Sequence, residues 1–257
     1  MLTPGLVSVS FRPLAGEEII RLAKEAGLAA VEWGGDVHVP AGDTARAKEI
    51  RKATEEAGLT VAAYGSYYKL GTHDDPEEAF RQALSGAVAL GAPVVRIWAG
   101  TTPSAAITEE ERAALTAEAR LAADAAAAHG LTVAFECHRH TLTDDWRSSL
   151  RLLKEIGKDN VKMYWQPNED LTFEQNLQAL TALLPQVVNL HVFHWPRPDV
   201  RLPLREGADR WKEYLRIAAS DGKDRCCLLE FMPDDDPATL PTEAAQLRKL
   251  LHEAQEG

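Results

Sequence analysis

Four residues able to bind metals or move protons sit near the ends of short apolar runs in the second half of the chain. They are Glu136 in 132–136 (TVAFE), Gln166 after 161–165 (VKMYW), His191 in 187–192 (VVNLHV) and Glu230 in 227–231 (CLLEF). Such runs read as strands, in which successive side chains point to opposite faces. Bulky Val133 and Phe135 then face outward and turn Glu136 inward, while outward Val161, Met163 and Trp165 leave Tyr164 and Gln166 inward. In the same way Val188, Leu190 and Val192 outward leave Asn189 and His191 inward, and Cys227, Leu229 and Phe231 outward leave Leu228 and Glu230 inward. Two carboxylates crowded at one poorly solvated mouth repel each other and lose hydration, and a divalent cation removes both penalties. An oxygen-rich set with one imidazole suits Mn²⁺, Mg²⁺ or Co²⁺, with Zn²⁺ and Fe²⁺ also compatible. The expectation is one divalent metal on Glu136, Gln166, His191 and Glu230.

That convergence needs a scaffold that brings strand ends together. Apolar runs alternate with segments of helical period along the whole chain. Candidate strands are 6–11, 29–33, 60–64, 94–98, 132–136, 161–165, 187–192 and 227–231. Candidate helices are 16–26, 44–57, 76–90, 108–128, 146–156, 172–184, 210–219 and 237–254. Asp75-Pro76 supplies an N-cap followed by proline at the first helical position, and Gly27, Gly58, Gly91 and Gly130 stand where helices end. Alternating strands and helices imply a parallel sheet, and eight regular units favour closure into a single (β/α)8 barrel, an α/β fold that fits the 257 residues as one domain, 1–257. The rival dinucleotide-binding sheet needs a G-x-G-x-x-G run after a strand, which the sequence lacks.

In such barrels chemistry sits at the C-terminal strand ends. The same parity puts Ser10, Glu32, Arg96 and Trp98 inward, where Glu32, Arg96 and Trp98 are candidates for substrate recognition together with His138 and His194. Tyr64, Tyr67, Tyr68, Phe193 and Trp195 can wall the mouth or stack on a substrate ring, and Arg197 and Arg201, in a Pro-rich loop after the seventh strand, can contact a phosphate. The segments 133–138 (VAFECH), 189–193 (NLHVF) and 228–231 (LLEF) resemble the strand motifs of the xylose isomerase-like superfamily of sugar isomerases and epimerases, over essentially the whole chain. The resemblance implies metal-binding glutamates at Glu136 and Glu230 and a metal-binding histidine at His191. Where this family usually has an Asp, the chain has Gln166 in 164–168 (YWQPN). An amide oxygen still ligates a hard cation but brings no charge.

The resemblance also implies the reaction: proton transfer beside a carbonyl of a sugar or sugar derivative, through an enediolate, with Glu136 and Glu230 sharing the protons, giving isomerisation or epimerisation. A lyase expelling a β-substituent, an endonuclease-type phosphodiesterase and a non-catalytic sugar-binding barrel are the alternatives. A net charge of −11 opposes nucleic acid and anionic membranes as partners, so the expected partner is a small carbohydrate, with a homo-oligomer as an analogy to barrel relatives. Three cysteines in no disulfide pattern, and no leader or spanning segment, point to the cytoplasm.

Overall fold

In a computed structural model, residues 1–197 and 200–256 are described. Eight runs of apolar and β-branched residues form the barrel strands β1 (Leu2–Val7), β2 (Ala30–Gly34), β3 (Thr60–Lys69), β4 (Val94–Trp98), β5 (Thr132–Glu136), β6 (Val161–Trp165), β7 (Val187–Val192) and β10 (Arg225–Leu229). All neighbours pair in parallel, and the sheet closes in the order β1-β10-β7-β6-β5-β4-β3-β2. The outer layer is α1 (Gly16–Glu25), α2 (Thr44–Glu56), α3 (Pro76–Leu90), α4 (Glu109–Ala127), α5 (Trp146–Ile156), α6 (Phe173–Leu183), α7 (Ala208–Ala219) and α8 (Leu240–Glu256). The chain is a single (β/α)8 barrel.

Local chemistry sets these limits. The Asp75 carboxylate accepts from the Glu78 N–H at 3.0 Å at the start of α3, and Gly91 ends that helix at φ 72°. Thr108 and Glu111 form a reciprocal capping box at the start of α4. Val133, Phe135, Met163, Trp165, Leu190 and Cys227 pack in the layer between strands and helices, while Ala134, Tyr164 and Leu228 fill the barrel interior. Gly5 on β1 lies so close to its neighbours that a Cβ would meet the Leu228 side chain at 2.4 Å and the Ala30 carbonyl at 2.6 Å.

Three expectations change. The first strand is Leu2–Val7 instead of 6–11, because residues 8–11 turn into a buried 3-10 helix. The last barrel strand is Arg225–Leu229, so Glu230 and Phe231 lie just beyond it. A register shift between β6 and β7 makes Val188 pack against the interior cluster instead of facing the helices, and alternation resumes with Asn189 paired to Tyr164. The Pro-rich segment after β7 also contains structure unseen in the sequence, an antiparallel pair of short strands, β8 (His194–Arg197) and β9 (Val200–Leu202).

Candidate metal and active site

Glu136 closes β5, His191 lies on β7 one residue before its end, and Glu230 and Gln166 follow β10 and β6 directly. One ligand atom from each of Glu136, His191 and Glu230 lies within 4.8 Å of the others, and all three residues are buried. His191 Nδ1 is 3.5 Å from Glu230 Oε2 and 3.7 Å from Glu136 Oε1, and Gln166 Oε1 stands 2.9 Å from the same nitrogen. The opposite ring nitrogen, Nε2, faces Glu32 Oε2 at 3.2 Å. A histidine whose far nitrogen is tied to a carboxylate is oriented to present the near one, the arrangement found behind metal-bound imidazoles. Two carboxylate oxygens, an amide oxygen and an imidazole nitrogen around one point fit a divalent cation.

A buried ion network supports this cluster. Arg96 donates from Nε to Glu32 Oε1 at 2.7 Å and from Nη1 to Glu136 Oε2, which also accepts from the Trp98 indole N–H. Gly65 on β3 makes room for it: a Cβ there would fall 2.7 Å from both Arg96 Nη2 and Glu32 Oε1. Glu32 and Arg96 cancel in charge, so Glu136 and Glu230 are left to balance a divalent ion beside a neutral His191.

The two glutamates are inequivalent. Burial acts to raise the Glu136 carboxyl, but the Arg96 charge outweighs it and holds the group well below the usual carboxylate range. Burial pushes Glu230 up, and the Glu136 charge adds to the rise. For His191, burial opposes the proton, yet Glu230 and Glu32 together hold it on, so the pKa is raised.

The other expected residues are placed as follows. Glu32 and Arg96 lie beneath the cluster, with both Glu32 oxygens engaged by protein. Trp98 binds Glu136, and His138 stacks on the Trp98 ring at 4.5 Å while its Nδ1 bonds the Arg139 carbonyl. His194 is not brought to the cluster; it sits on β8 against Gly207. The Ser10 hydroxyl accepts the Phe231 N–H at 2.9 Å. Tyr64 is buried and donates to the Val39 carbonyl, and Tyr68 donates to Pro76 and Glu118 away from the cluster. Tyr67, at φ 59°, receives a hydrogen bond from Arg12 and lies 6.2 Å from the Trp98 ring. Arg197 is exposed, while Arg201 pairs with Asp235 and covers Phe231 at 4.5 Å. Sequence reading missed Arg12, which covers Phe231 from 5.4 Å, and Gly65. Arg12 lies one residue past a run read as strand, and Gly65 looked like one more small residue after a strand.

A family model described as the xylose isomerase-like TIM barrel matches residues 20–251. The chain belongs to that family. A curated relative, the 3-dehydroshikimate dehydratase of Bacillus anthracis, is 25% identical over 167 residues, 62% of this chain. That match spans 59% of the relative's length. Among solved structures, the probable 3-DHS dehydratase AsbF of Bacillus anthracis superimposes with a TM-score of 0.78 at 20% identity, over 96% of this chain and 99% of the other. An L-ribulose 3-epimerase gives 0.76 at 16% identity over 100% and 96%, and a D-psicose 3-epimerase 0.73 at 16% over 99% and 100%. These likenesses concern the fold. Among the described residues no helix is long and apolar enough to cross a membrane.

Proposed function

We propose that this protein is a divalent-metal-dependent isomerase or epimerase of a sugar or sugar derivative, acting by proton transfer beside a carbonyl. The observation that carries this reading is the buried cluster of Glu136, His191 and Glu230, with Gln166 on the same imidazole nitrogen, at the C-terminal mouth of the barrel. Glu136, Gln166, His191 and Glu230 would hold the cation, which supplies an electrophile that polarises the carbonyl and stabilises charge developing on oxygen.

The protein's own groups divide the remaining work. Glu230, with its raised pKa and, among the described residues, no guanidinium bound to it, exchanges the proton at the carbon beside the carbonyl. Glu136 is the second acid/base group, and only through Oε1, because Arg96 and Trp98 occupy Oε2. Glu32 holds the His191 ring in place, and Trp98, His138 and Tyr67 frame the mouth above it. Return of a proton to the opposite face of the same carbon gives epimerisation, and return to the neighbouring carbon gives isomerisation.

A lyase reading has its own support in the dehydratase relative. It shares the first proton removal and differs in losing a β-hydroxyl as water. Incubation of Mn²⁺-loaded protein with ketoses, aldoses and 3-dehydroshikimate in D₂O tests both readings. Deuterium in an epimer or isomer supports the isomerase, an unsaturated product supports the lyase, and deuterium in recovered substrate alone reports the enolisation that both share. Metal-loaded protein that incorporates no deuterium into any of them and forms no product refutes enolisation here.

A further inference from the structure

Strand β3 departs from regular pairing where it reaches the barrel mouth. It runs on from Gly65 to Lys69 while its neighbour β4 advances only from Arg96 to Trp98. The extra chain is taken up around Tyr67, whose φ of 59° lies in the left-handed region that a bulky residue rarely adopts. Ser66 fastens this bulge, its hydroxyl donating to the Arg96 carbonyl at 2.7 Å and accepting the Tyr68 N–H at 3.2 Å. Bulges beside active sites re-aim a side chain. Here that side chain is Lys69, whose ammonium comes to rest 4.1 Å from the centre of the Trp98 ring.

The N–H of that same ring holds Glu136 Oε2, so Lys69 stands one indole away from a proposed acid/base group. Arg12, Arg96 and Arg201 also lie on aromatic rings of the mouth, and each is engaged by carboxylates, from Asp36, from Glu32 and Glu136, and from Asp235. Among the described residues the Lys69 ammonium has no carboxylate or hydrogen-bonding partner. An ammonium covered by a ring on one side keeps further donors free for a ligand. A left-handed bulky residue costs more than a partly exposed cation–π contact returns, so packing on Trp98 does not by itself account for the bulge. His138 stacks on the same ring and gives its Nδ1–H to the Arg139 carbonyl, which leaves Nε2 as an acceptor for a substrate hydroxyl. A monoanion suits this place better than a dianion, because one ammonium balances one charge and the Glu136 carboxylate stands close by.

We propose that Lys69 binds a carboxylate at the end of the substrate remote from the metal, so that the substrate is an acidic keto sugar instead of a neutral one. This rests on the proposed function for the reacting end of the molecule, but not for the binding of its acid group.

Calorimetry on Mn²⁺-loaded protein at low ionic strength tests the inference, comparing D-fructuronate with D-fructose and D-tagaturonate with D-tagatose. Within each pair a terminal hydroxymethyl group is exchanged for a carboxylate and nothing else changes. At least one acid should bind about tenfold or more tightly than its neutral counterpart. That advantage should fall to about onefold in Lys69→Met and stay within about threefold of wild type in Lys69→Arg, while the neutral sugars bind both variants as they bind wild type. A merely structural role for Lys69 would weaken acid and neutral sugar alike. The assignment is overturned by absence of a preference for either acid, by a preference that survives Lys69→Met, by equal losses for acid and neutral sugar, or by D-fructose 6-phosphate binding more tightly than D-fructuronate. If the preference is present and lost as expected while no substrate exchanges deuterium, the proposed reaction fails and the carboxylate site stands.

Discussion

Replacing Arg96 by Met removes the guanidinium that bridges two buried carboxylates, Glu32 and Glu136. The Arg96, Glu32 and Glu136 side chains are 3%, 0% and 4% exposed, so water does not replace the lost partner. Breaking a buried ion pair from one side costs about 3–5 kcal/mol, because the surviving charge is left uncompensated. For a chain of this size each kcal/mol moves the melting temperature by about 2–4 °C, so metal-free Arg96→Met should melt about 6–20 °C below wild type. The pH dependence has a definite sign. The Glu32 pKa, which burial acts to raise, is brought down by Arg96 and His191 from the ordinary 4.5 to about 2. A depressed carboxyl pKa contributes stability that is present above 4.5 and lost as pH falls toward 2. The gap between the two proteins should therefore narrow across that window. Added Mn²⁺ should restore part of the loss, by supplying Glu136 with a counter-charge. Urea and thermal unfolding at pH 7 and pH 3, with and without Mn²⁺, measure all of this. Metal-free Arg96→Met within about 1 kcal/mol of wild type at pH 7 would show that the buried carboxylates do not depend on Arg96.

Gly65→Ala should overpack the same network, at about 1–3 kcal/mol, and weaken Mn²⁺ binding by shifting Glu32 from His191; unchanged stability and affinity in denaturant and metal titrations would rule out the tight approach of Gly65 to this pair. Metal uptake should release roughly one proton, since the 2.9 Å contact from His191 Nδ1 to Gln166 Oε1 uses an N–H where a cation needs the lone pair; a binding enthalpy independent of buffer ionisation enthalpy would contradict it. Gln166→Asp and Gln166→Glu add a carboxylate beside the metal and should tighten Mn²⁺ binding in at least one variant, without matching gain in turnover; two folded variants that bind no more tightly would remove Gln166 from the ligand set. Glu136→Gln and Glu230→Gln should each abolish deuterium exchange into an accepted substrate, and wild-type exchange in both would end the assignment of these residues as the acid/base pair.

What the sequence determined by itself is local and periodic. The alternation of strand and helix periods, with caps such as Asp75-Pro76 and Gly91, carried the barrel, because each unit's apolar stripe must be covered by its neighbours. Two-residue periodicity turned Glu136, Gln166, His191 and Glu230 inward, since steric alternation along a strand needs no knowledge of the partner strand. The long-range relations were decided only in the tertiary structure. Glu32 is 159 residues from His191 in sequence, and no local pattern reports that its carboxylate orients that imidazole. Arg96 has inward parity like a substrate-binding residue, but its place between Glu32 and Glu136 makes it a counter-charge. The same holds for His194. Three residues after a metal-ligand candidate, it looked part of the mouth, yet the chain leaves the barrel through β8 and sets it against Gly207. Residue type and period fix which way a side chain points within its own element, whereas partners across the barrel depend on closure, register shifts and the paths of loops, whose constraints are spread over the whole chain.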